Sequence, residues 1–385
     1  MAYALVMVML VTLLTASVAK VRYDNYKVYH VVPTDQHHLT VLRDIETRIQ
    51  DLSLWSDVQD VNNPVHIMVP PYQEEEFTNL IKSFSMLHKI NMHNVQELID
   101  LQEPVLRSET SFGFEEYHSL DEIYDWLTDL STLYPGVVTL SDVGETYEGR
   151  FIRAVKISHK TGNRGVFIET GIHACEWIGP ATVLYILNEL LTSNNTEIRD
   201  IAENFDWYID RLWRKTRSEY NATCYGVDPN RNWDFHWGEV GTSPDPCNRM
   251  YAGPGPLSEV EIRGLSQYIT SVAERLDIYI SFHSYGQLLM FPYGFTEDPV
   301  DNYDTLSNIA EKAANSLTSV HGTVYKSGPI ISTVFGPPRV YYAPDILPHW
   351  LSHRTLDIIV PRSVKDPSGA GIPLPTTWRG ALPEI

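Results

Sequence analysis

The chain has 385 residues, with 29 lysines and arginines against 49 aspartates and glutamates, which gives a formal net charge of −20. Nucleic-acid-binding proteins present basic surfaces, so this balance argues against a nucleic-acid partner and favours solubility in an extracellular fluid. A chain of this length exceeds what one small core organises, and we expect two domains or one large domain with an appendage.

The N-terminus has the pattern of a secretory signal peptide. An apolar run in MAYALVMVMLVTLLTASVAK ends in the small residues Ser17, Val18 and Ala19, and we place the cleavage after Ala19. No other stretch of the sequence is long and apolar enough to span a bilayer. We therefore expect a secreted, soluble and monomeric protein without a membrane partner.

Secretion makes the three cysteines informative, because thiols form disulfides in that compartment. Cys224 and Cys247 lie in a loop-rich segment and are the natural pair. Cys175 is left over, and it stands between His173 and Glu176 in the sequence.

Residues 20–107, after the signal peptide 1–19, have the pattern of a small α/β domain. The strand-like stretches are 27–34, 65–70 and 89–93, and the helix-like stretches are 39–49 and 74–87. Polar, unpatterned sequence follows around Arg107, which a trypsin-like protease is able to cut, since nicking concentrates in exposed linkers. A removable N-terminal module on a secreted protein indicates an activation propeptide, and an ordinary first domain is the alternative.

Residues 108–335 form a second, larger unit in which strands alternate with helices. Helices are predicted over 117–130, 177–191 and 305–322, and strands over 137–144, 151–158, 165–172 and 276–291. The pattern predicts an α/β fold with a mixed, largely parallel sheet that is covered by helices on both faces.

Two histidines and a glutamate follow apolar strands of this unit. His173 comes where the run GVFIETGI ends, Glu176 opens the next helix, and His283 ends the apolar strand before SYGQ. Ligands bind beside the carboxyl ends of strands in open α/β sheets, and a catalytic zinc takes three protein ligands and one water. An H-x-x-E turn is weak evidence by itself, because a satisfied buried histidine beside a helix-starting glutamate explains such a match better. His283, which a second strand would bring to the same edge of the sheet, favours a metal site.

A basic and amide cluster lies between these residues in the sequence. Arg211, Arg214 and Arg217 in RLWRKTR are compatible with a solvated basic face. Asn230 and Arg231 lie between the two cysteines of the expected disulfide, which indicates a fixed loop that presents a guanidinium. Arginine binds a carboxylate through two parallel hydrogen bonds, and a neighbouring asparagine adds a donor.

The segments GIHACEWIGPAT, RLWRKTRS, DPNRNWDFHW and SFHSYGQLLMFPYG together resemble one family, the secreted zinc metallocarboxypeptidases of the pancreatic and digestive A/B type (peptidase M14), especially arthropod forms. The resemblance extends from the signal peptide to about Phe335. It implies that zinc is the cofactor and that His173, Glu176 and His283 bind it, since this family uses two histidines and one glutamate.

The resemblance also implies roles for the basic cluster. Arg214 would polarise the scissile carbonyl and hold the developing oxyanion. Asn230 and Arg231 would bind the terminal carboxylate of a peptide substrate, with Arg211 nearby. Capture of that carboxylate would make the protein an exopeptidase.

Two departures from the family lie inside this region. Cys175 stands where the family usually has an arginine that helps to dock the substrate, and it is either a buried free thiol or an adventitious metal ligand. Ile209 runs directly into Asp210, where family members carry a further segment. We expect this loss to shorten a strand inside the sheet and to leave neighbouring backbone groups without partners.

The third departure is the tail of residues 336–385. The family's general-base glutamate is expected there in a Phe-Glu-Leu-Arg context, but the only glutamate of the tail is Glu384, and Phe335 replaces a mobile tyrosine. The tail is rich in proline and arginine without a helical or strand period, so we predict that it is poorly ordered. Exon skipping or a reading-frame error would produce both the missing block and the foreign terminus.

The sequence therefore predicts a zinc carboxypeptidase zymogen that a trypsin-like protease activates and that acts on peptides with a free C-terminal carboxylate. Loss of the general base predicts impaired hydrolysis. A secreted protein that binds zinc and peptide C-termini without catalysis is one alternative. A disulfide-bonded secreted domain without metal is another.

Overall fold

The computed structural model describes a set of residue ranges that divide into two compact units between Glu103 and Pro104. These ranges are 22–49, 51–55, 58, 61–102, 112–114, 116–173, 176–211, 215–220, 224–239, 241–284, 286–333 and 355–359. The predicted signal peptide 1–19 and the predicted cleavage site Arg107 lie outside them, and the domain boundary at Arg107 stays a prediction. Within these ranges, no helix has the length and apolar character that a bilayer crossing requires.

The first unit is a four-stranded sheet with helices. Its elements are β1 Lys27–Val32, α1 Gln36–Arg43, α2 Ile45–Arg48, β2 Ser53–Leu54, β3 Val65–Val69, α3 Glu74–Ser83, β4 Leu87–Met92 and α4 Val95–Gln102. The strand order is β2-β3-β1-β4, and the pairs are antiparallel. Alternate residues of β1, Tyr29 and Val31, join a buried core with Ile67 and Phe77. The helical stretch expected at 39–49 divides into α1 and α2.

The second unit is built on an eight-stranded sheet. Its elements are α5 Leu120–Leu133, β5 Val138–Glu145, β6 Phe151–Ile157, β7 Arg164–Thr170, α6 Ile178–Thr192, α7 Thr196–Asn204, β8 Phe205–Arg211, α8 Val260–Val272, β9 Leu276–His283, β10 Leu288–Phe291, α9 Tyr303–His321, β11 Lys326–Pro329, α10 Ile330–Thr333 and β12 Thr355–Ile359. The strand order is β11-β10-β12-β9-β7-β8-β6-β5. Pairs β7–β8, β7–β9, β9–β12 and β10–β11 are parallel and the others are antiparallel, so the sheet is mixed, as predicted.

Both faces of this sheet carry a buried apolar core. Val166 and Ile168 of β7 pack with apolar residues of α5 and α6 on one face. Phe167, which points the opposite way, packs with Ile262 and Leu265 of α8 on the other. Because β7 is buried on both faces, it reads as a continuous apolar run in the sequence.

The strand predicted at 276–291 is two strands in the structure, which corrects the prediction. β9 ends at His283, and β10 begins at Leu288 and pairs with β11 and β12. The backbone N–H of Ser284 donates to Glu176 Oε2 at 2.9 Å, so the chain leaves the sheet at the point where it meets this side chain. The sequence does not reveal this break, because the apolar pattern continues on both sides of it.

The expected loss of backbone partners beside Ile209 is not found in β7. Strand β8 pairs with β7 in register from Arg164↔Phe205 to Thr170↔Arg211, which is the whole length of β7. Asp210 and Arg211 take the last positions of β8, so this strand is complete against β7 and the prediction is wrong for that side. On the other side β8 pairs with Ala154–Ile157 of β6, and the residues that would face the start of β6 lie outside the described ones.

Part of the predicted poorly ordered tail belongs to the sheet. Residues 355–359 form β12, which lies between β9 and β10, parallel to β9 with Ile359 paired to His283. The prediction is wrong for these residues, because pairing with two neighbouring strands supplies an order that the local pattern does not reveal. The rest of the predicted tail, 336–354 and 360–385, lies outside the described residues.

We predict that a methyl group added at Gly264 destabilises the second unit. Its Cβ would lie 2.9 Å from Gly144 Cα and 2.9 Å from the Val143 carbonyl oxygen, where α8 crosses β5. Gly264→Ala should lower the free energy of unfolding by about 1–3 kcal/mol, measured by denaturant titration of tryptophan fluorescence. Gly255→Ala is the control, since nothing lies within 4 Å of its added Cβ. Equal midpoints for the two variants would contradict this close packing.

Candidate metal centre and active site

The predicted metal ligands lie together at one edge of the sheet. β7 and β9 are neighbouring parallel strands, with Thr170 of β7 paired to Phe282 of β9, so both strands end at the same edge. His283 is the last residue of β9, and His173 follows the end of β7. Glu176 lies in the turn before α6, where its backbone N–H donates to the His173 carbonyl oxygen at 3.1 Å. The sheet and one turn therefore place all three side chains.

Gly179 lets α6 begin against the ends of these strands. A Cβ at Gly179 would lie 2.8 Å from Thr170 Oγ1 and 3.3 Å from the Phe282 carbonyl oxygen. Only a residue without a side chain permits this approach, which holds the turn of Glu176 against β7 and β9.

The three side chains are buried, and their ligand atoms all lie within 4.8 Å of one another. His173 Nδ1 is 2.9 Å from Glu176 Oε1, and His283 Nδ1 is 3.2 Å from Glu176 Oε2. The two imidazole centroids are 5.0 Å apart. Each histidine thus directs Nδ1 toward a different oxygen of the same carboxylate.

The ionisation state of Glu176 suits a metal ligand. Burial by itself would raise the pKa of Glu176, but the charges and hydrogen bonds of His173 and His283 outweigh burial and hold this pKa well below its usual range. This direction favours the carboxylate form, which is the form that binds a metal.

The donor set fits a zinc ion. Two imidazole nitrogens and one carboxylate oxygen are a ligand set of catalytic zinc sites, and they leave a fourth position for water. Ligand atoms at about 2 Å from a tetrahedral zinc are separated by roughly 3.3 Å. The separations of 2.9 and 3.2 Å between Glu176 and the two Nδ1 atoms are close to this value.

The outer nitrogens of both histidines also have hydrogen-bond partners. His173 Nε2 is 3.2 Å from Asp228 Oδ1, and His283 Nε2 is 3.0 Å from Ser281 Oγ. Such contacts orient a metal-binding imidazole and fix its tautomer. Neither Asp228 nor Ser281 forms a ligand spacing with the histidines, so no sequence pattern reveals them.

Asp228 connects the candidate metal centre to the loop of Asn230 and Arg231. Its Oδ1 accepts a hydrogen bond from the Asn230 backbone N–H at 3.0 Å and caps the short 3₁₀ turn Pro229–Arg231. Arg231 is buried, and it donates from Nε to the Gly241 carbonyl oxygen and from Nη1 to the Asn230 carbonyl oxygen. The buried Asn230 Oδ1 accepts no hydrogen bond from the described residues.

Cys224 and Cys247 form a disulfide, with their Cα atoms 4.8 Å apart, and enclose the loop of Asn230 and Arg231.

The structure describes the other predicted site residues only in part. Arg211 ends β8 opposite Thr170, and its side chain is not described. Cys175 and Arg214 lie outside the described residues.

Arg217 belongs to a solvated face. It is exposed, and its Nε donates to Glu148 Oε1 at 2.9 Å, as the basic-face interpretation of RLWRKTR predicts.

Glu259 is a buried carboxylate at the base of the loop that carries Asn230 and Arg231, and no sequence pattern reveals it. Glu259 is 3% exposed and accepts hydrogen bonds from Ser218 Oγ at 2.6 Å, Tyr220 OH at 2.6 Å and Ser258 Oγ at 2.9 Å. Thr216 Oγ1 donates to the same carboxylate. Four hydroxyls on one buried anion tie the start of the loop to the segment before α8.

We predict that Glu259→Gln loosens this loop. A carboxamide has one accepting oxygen, so hydroxyls that donate to the carboxylate must turn or lose a partner, at a cost of about 1–3 kcal/mol in the free energy of unfolding. Tyr220→Phe is the matched control, because it removes one donor and leaves the other three, and should cost about 1 kcal/mol or less. Denaturant titration measures both. A Glu259→Gln cost no larger than that of Tyr220→Phe would argue against the carboxylate as the organising group.

Comparisons with known proteins agree with this geometry. The model of the zinc carboxypeptidase family (Peptidase M14) matches residues 123–209 and 210–354, and the carboxypeptidase activation peptide matches residues 29–102. The family match is divided between residues 209 and 210, at the position of the predicted missing segment. It continues to residue 354, so the prediction that the resemblance ends at about Phe335 is wrong.

Relatives and solved structures support the same assignment. The chain is 40% identical over 352 residues to Zinc carboxypeptidase A 1 of Anopheles gambiae, covering 86% of this chain and 81% of that protein. It is 45% identical over 237 residues to Carboxypeptidase B of Astacus astacus, covering 57% of this chain and 78% of that protein. The crystal structure of thrombin activatable fibrinolysis inhibitor matches with a TM-score of 0.78 at 25% identity, over 93% of this chain and 94% of that one. The chain belongs to the zinc carboxypeptidase family and carries its activation peptide.

Proposed function

We propose that this chain holds zinc through His173, Glu176 and His283 and binds peptides by their C-terminal carboxylate. The convergence of three buried ligand atoms within 4.8 Å at one sheet edge carries the proposal. A bound zinc supplies an activated water and polarises a carbonyl. A disulfide-bonded domain without metal would have no need to bury these groups beside one another.

Asn230 and Arg231 are proposed to hold the substrate carboxylate. They lie on a loop that a disulfide encloses and that Asp228 links to His173. A fixed guanidinium and amide near a metal site orient a peptide by its terminus, so that its last peptide bond faces the metal centre. Arg211 and Arg214 are proposed to assist, on family resemblance alone.

We also propose that hydrolysis by this chain is impaired. In the described residues, β12 lies directly beside β9 and ends in Ile358 and Ile359, with Ile359 paired to His283. The β12 residue paired with this candidate zinc ligand is an isoleucine, which cannot act as a general base. Loss of a general base lowers rates by a factor on the order of 10²–10⁴. A secreted protein that binds zinc and peptide C-termini without turnover is therefore the second candidate.

The activation peptide indicates a precursor, and we propose that a trypsin-like protease cuts it at Arg107. Secretion through the predicted signal peptide is part of this proposal. Relatives with the names carboxypeptidase A and carboxypeptidase B both match, so the proposed activity is removal of a C-terminal residue without a stated side-chain preference.

We predict that the full chain binds one zinc per molecule and that His173→Ala lowers this affinity at least 100-fold, since removing a ligand costs more than the 10–100-fold effect of an outer-shell change. His236→Ala is the control, because His236 stacks on Phe295 and contacts Glu239 away from the cluster. Competition with a chelator measures the affinity. Equal zinc affinity in the two variants would refute the proposed ligand set.

We predict slow release of the last residue from a peptide with a free C-terminus, and none from its amidated form, after trypsin treatment. N-terminal sequencing verifies cleavage after Arg107. Turnover should lie about 10²–10⁴-fold below that of a family member with its general base. Arg231→Met should weaken binding of the free peptide only, because the amidated peptide offers no carboxylate. Binding without any turnover would favour the second candidate, and equal binding of both peptides would contradict carboxylate capture.

A further inference from the structure

Glu169 is a buried carboxylate to which the proposed function assigns no role. It lies in β7 with 0% exposure, and a buried charge is costly unless hydrogen bonds satisfy it. Its Oε2 accepts from Tyr279 OH and from Ser281 Oγ, each at 2.9 Å. Both donors belong to β9, the strand that ends in His283.

The sheet itself sets the contact between Glu169 and Ser281. The two residues are directly paired in the parallel register of β7 and β9. Their side chains therefore stand on the same face of adjacent strands, and no loop has to close to bring them together. His283 lies two residues beyond Ser281, so its side chain is on that face as well.

The Ser281 hydroxyl also contacts His283 Nε2, and its single hydrogen decides which of the two atoms donates. Ser281 Oγ is 3.0 Å from His283 Nε2 and has one hydrogen to share between this nitrogen and Glu169. A carboxylate oxygen only accepts, so the hydrogen goes to Glu169 and a lone pair faces Nε2. Nε2 must then carry a hydrogen and donate it to Ser281.

This direction leaves the lone pair of the neutral imidazole on Nδ1. Nδ1 is the nitrogen that faces Glu176 Oε2 at 3.2 Å, on the side of the candidate metal site. We propose that Glu169 is a positioning residue which, through Ser281, fixes the tautomer and ring orientation of His283 for metal binding. The proposal rests on the proposed role of His283 as a zinc ligand.

The arrangement parallels that of the other histidine. His173 Nε2 reaches Asp228 directly at 3.2 Å, whereas His283 Nε2 reaches Glu169 through one hydroxyl. Each imidazole is therefore linked to a carboxylate on the side away from the metal site, which fixes its tautomer. Tyr279 contacts the same oxygen of Glu169 but lies outside the chain of hydrogen bonds to His283.

Single and double variants of the full chain test the proposal. Glu169→Leu removes the acceptor, so the Ser281 hydroxyl turns to donate to His283 Nε2 and forces the hydrogen onto Nδ1. Zinc affinity should fall about tenfold or more. Glu169→Gln keeps an accepting oxygen and should stay within about threefold of the wild type. Tyr279→Phe removes a donor outside the chain of hydrogen bonds and should also stay within about threefold.

The deciding variant is the double change Glu169→Leu with Ser281→Ala. It removes the hydroxyl that forces the wrong tautomer, so zinc affinity should rise severalfold above that of Glu169→Leu alone. A carboxylate that served only packing would give a further loss in the double variant, and that result would overturn the proposal. If Glu169→Leu does not fold, a loss in Ser281→Ala that exceeds the loss in Tyr279→Phe supports the proposal, and equal losses overturn it.

A second measurement does not need zinc. The imidazole ¹⁵N resonances of His283, assigned by their loss in His283→Ala, should show the hydrogen on Nε2 in the metal-free wild type and on Nδ1 in Glu169→Leu. The same tautomer in both proteins would overturn the inference. A wild type that binds no zinc but shows this change of tautomer would refute the proposed function and leave the role of Glu169 intact.

Discussion

The parallel pairing of β7 with β9 is the constraint on which the rest of the site depends. Its register sets Thr170 beside Phe282, so His173 and His283 leave the sheet at one edge although they lie far apart in the sequence. The same register sets Glu169 beside Ser281. One set of backbone hydrogen bonds thus brings the candidate ligands together and builds the contact that orients one of them.

Buried carboxylates organise the segments around this strand pair, each with a different set of donors. Glu176 faces two imidazoles, Asp228 joins His173 to the loop of Asn230, and Glu259 collects hydroxyls at the base of that loop. A buried anion without donors is costly, so each of these carboxylates is compatible with few arrangements of its neighbours. The loops at this edge are therefore specified by polar contacts, whereas apolar packing specifies the sheet beneath them.

The sequence predicts the sheet better than the contacts at its edge. The apolar run of β7 and the helical spacing of α6 are local patterns, and the structure contains both elements. The predicted strand 276–291 breaks where the Ser284 amide meets Glu176, a contact that no local pattern contains. β12 was missed for the same reason, since TLDII is short and its order comes from pairing with β9 and β10. The histidines were found because they follow strands, while Glu169 lies within an apolar run.

Metal binding and proton transfer depend on different strands of this fold. The candidate ligands come from β7, β9 and the turn before α6, and β9 pairs with β7 on one side and with β12 of the tail on the other. The proposed loss of the general base concerns the tail, where β12 places Ile359 opposite His283. His173 and Glu176 lie on elements that do not pair with β12, so a change in the C-terminal segment leaves their supports in place. Under the proposed function, binding of zinc and of peptide C-termini would therefore be separable from turnover.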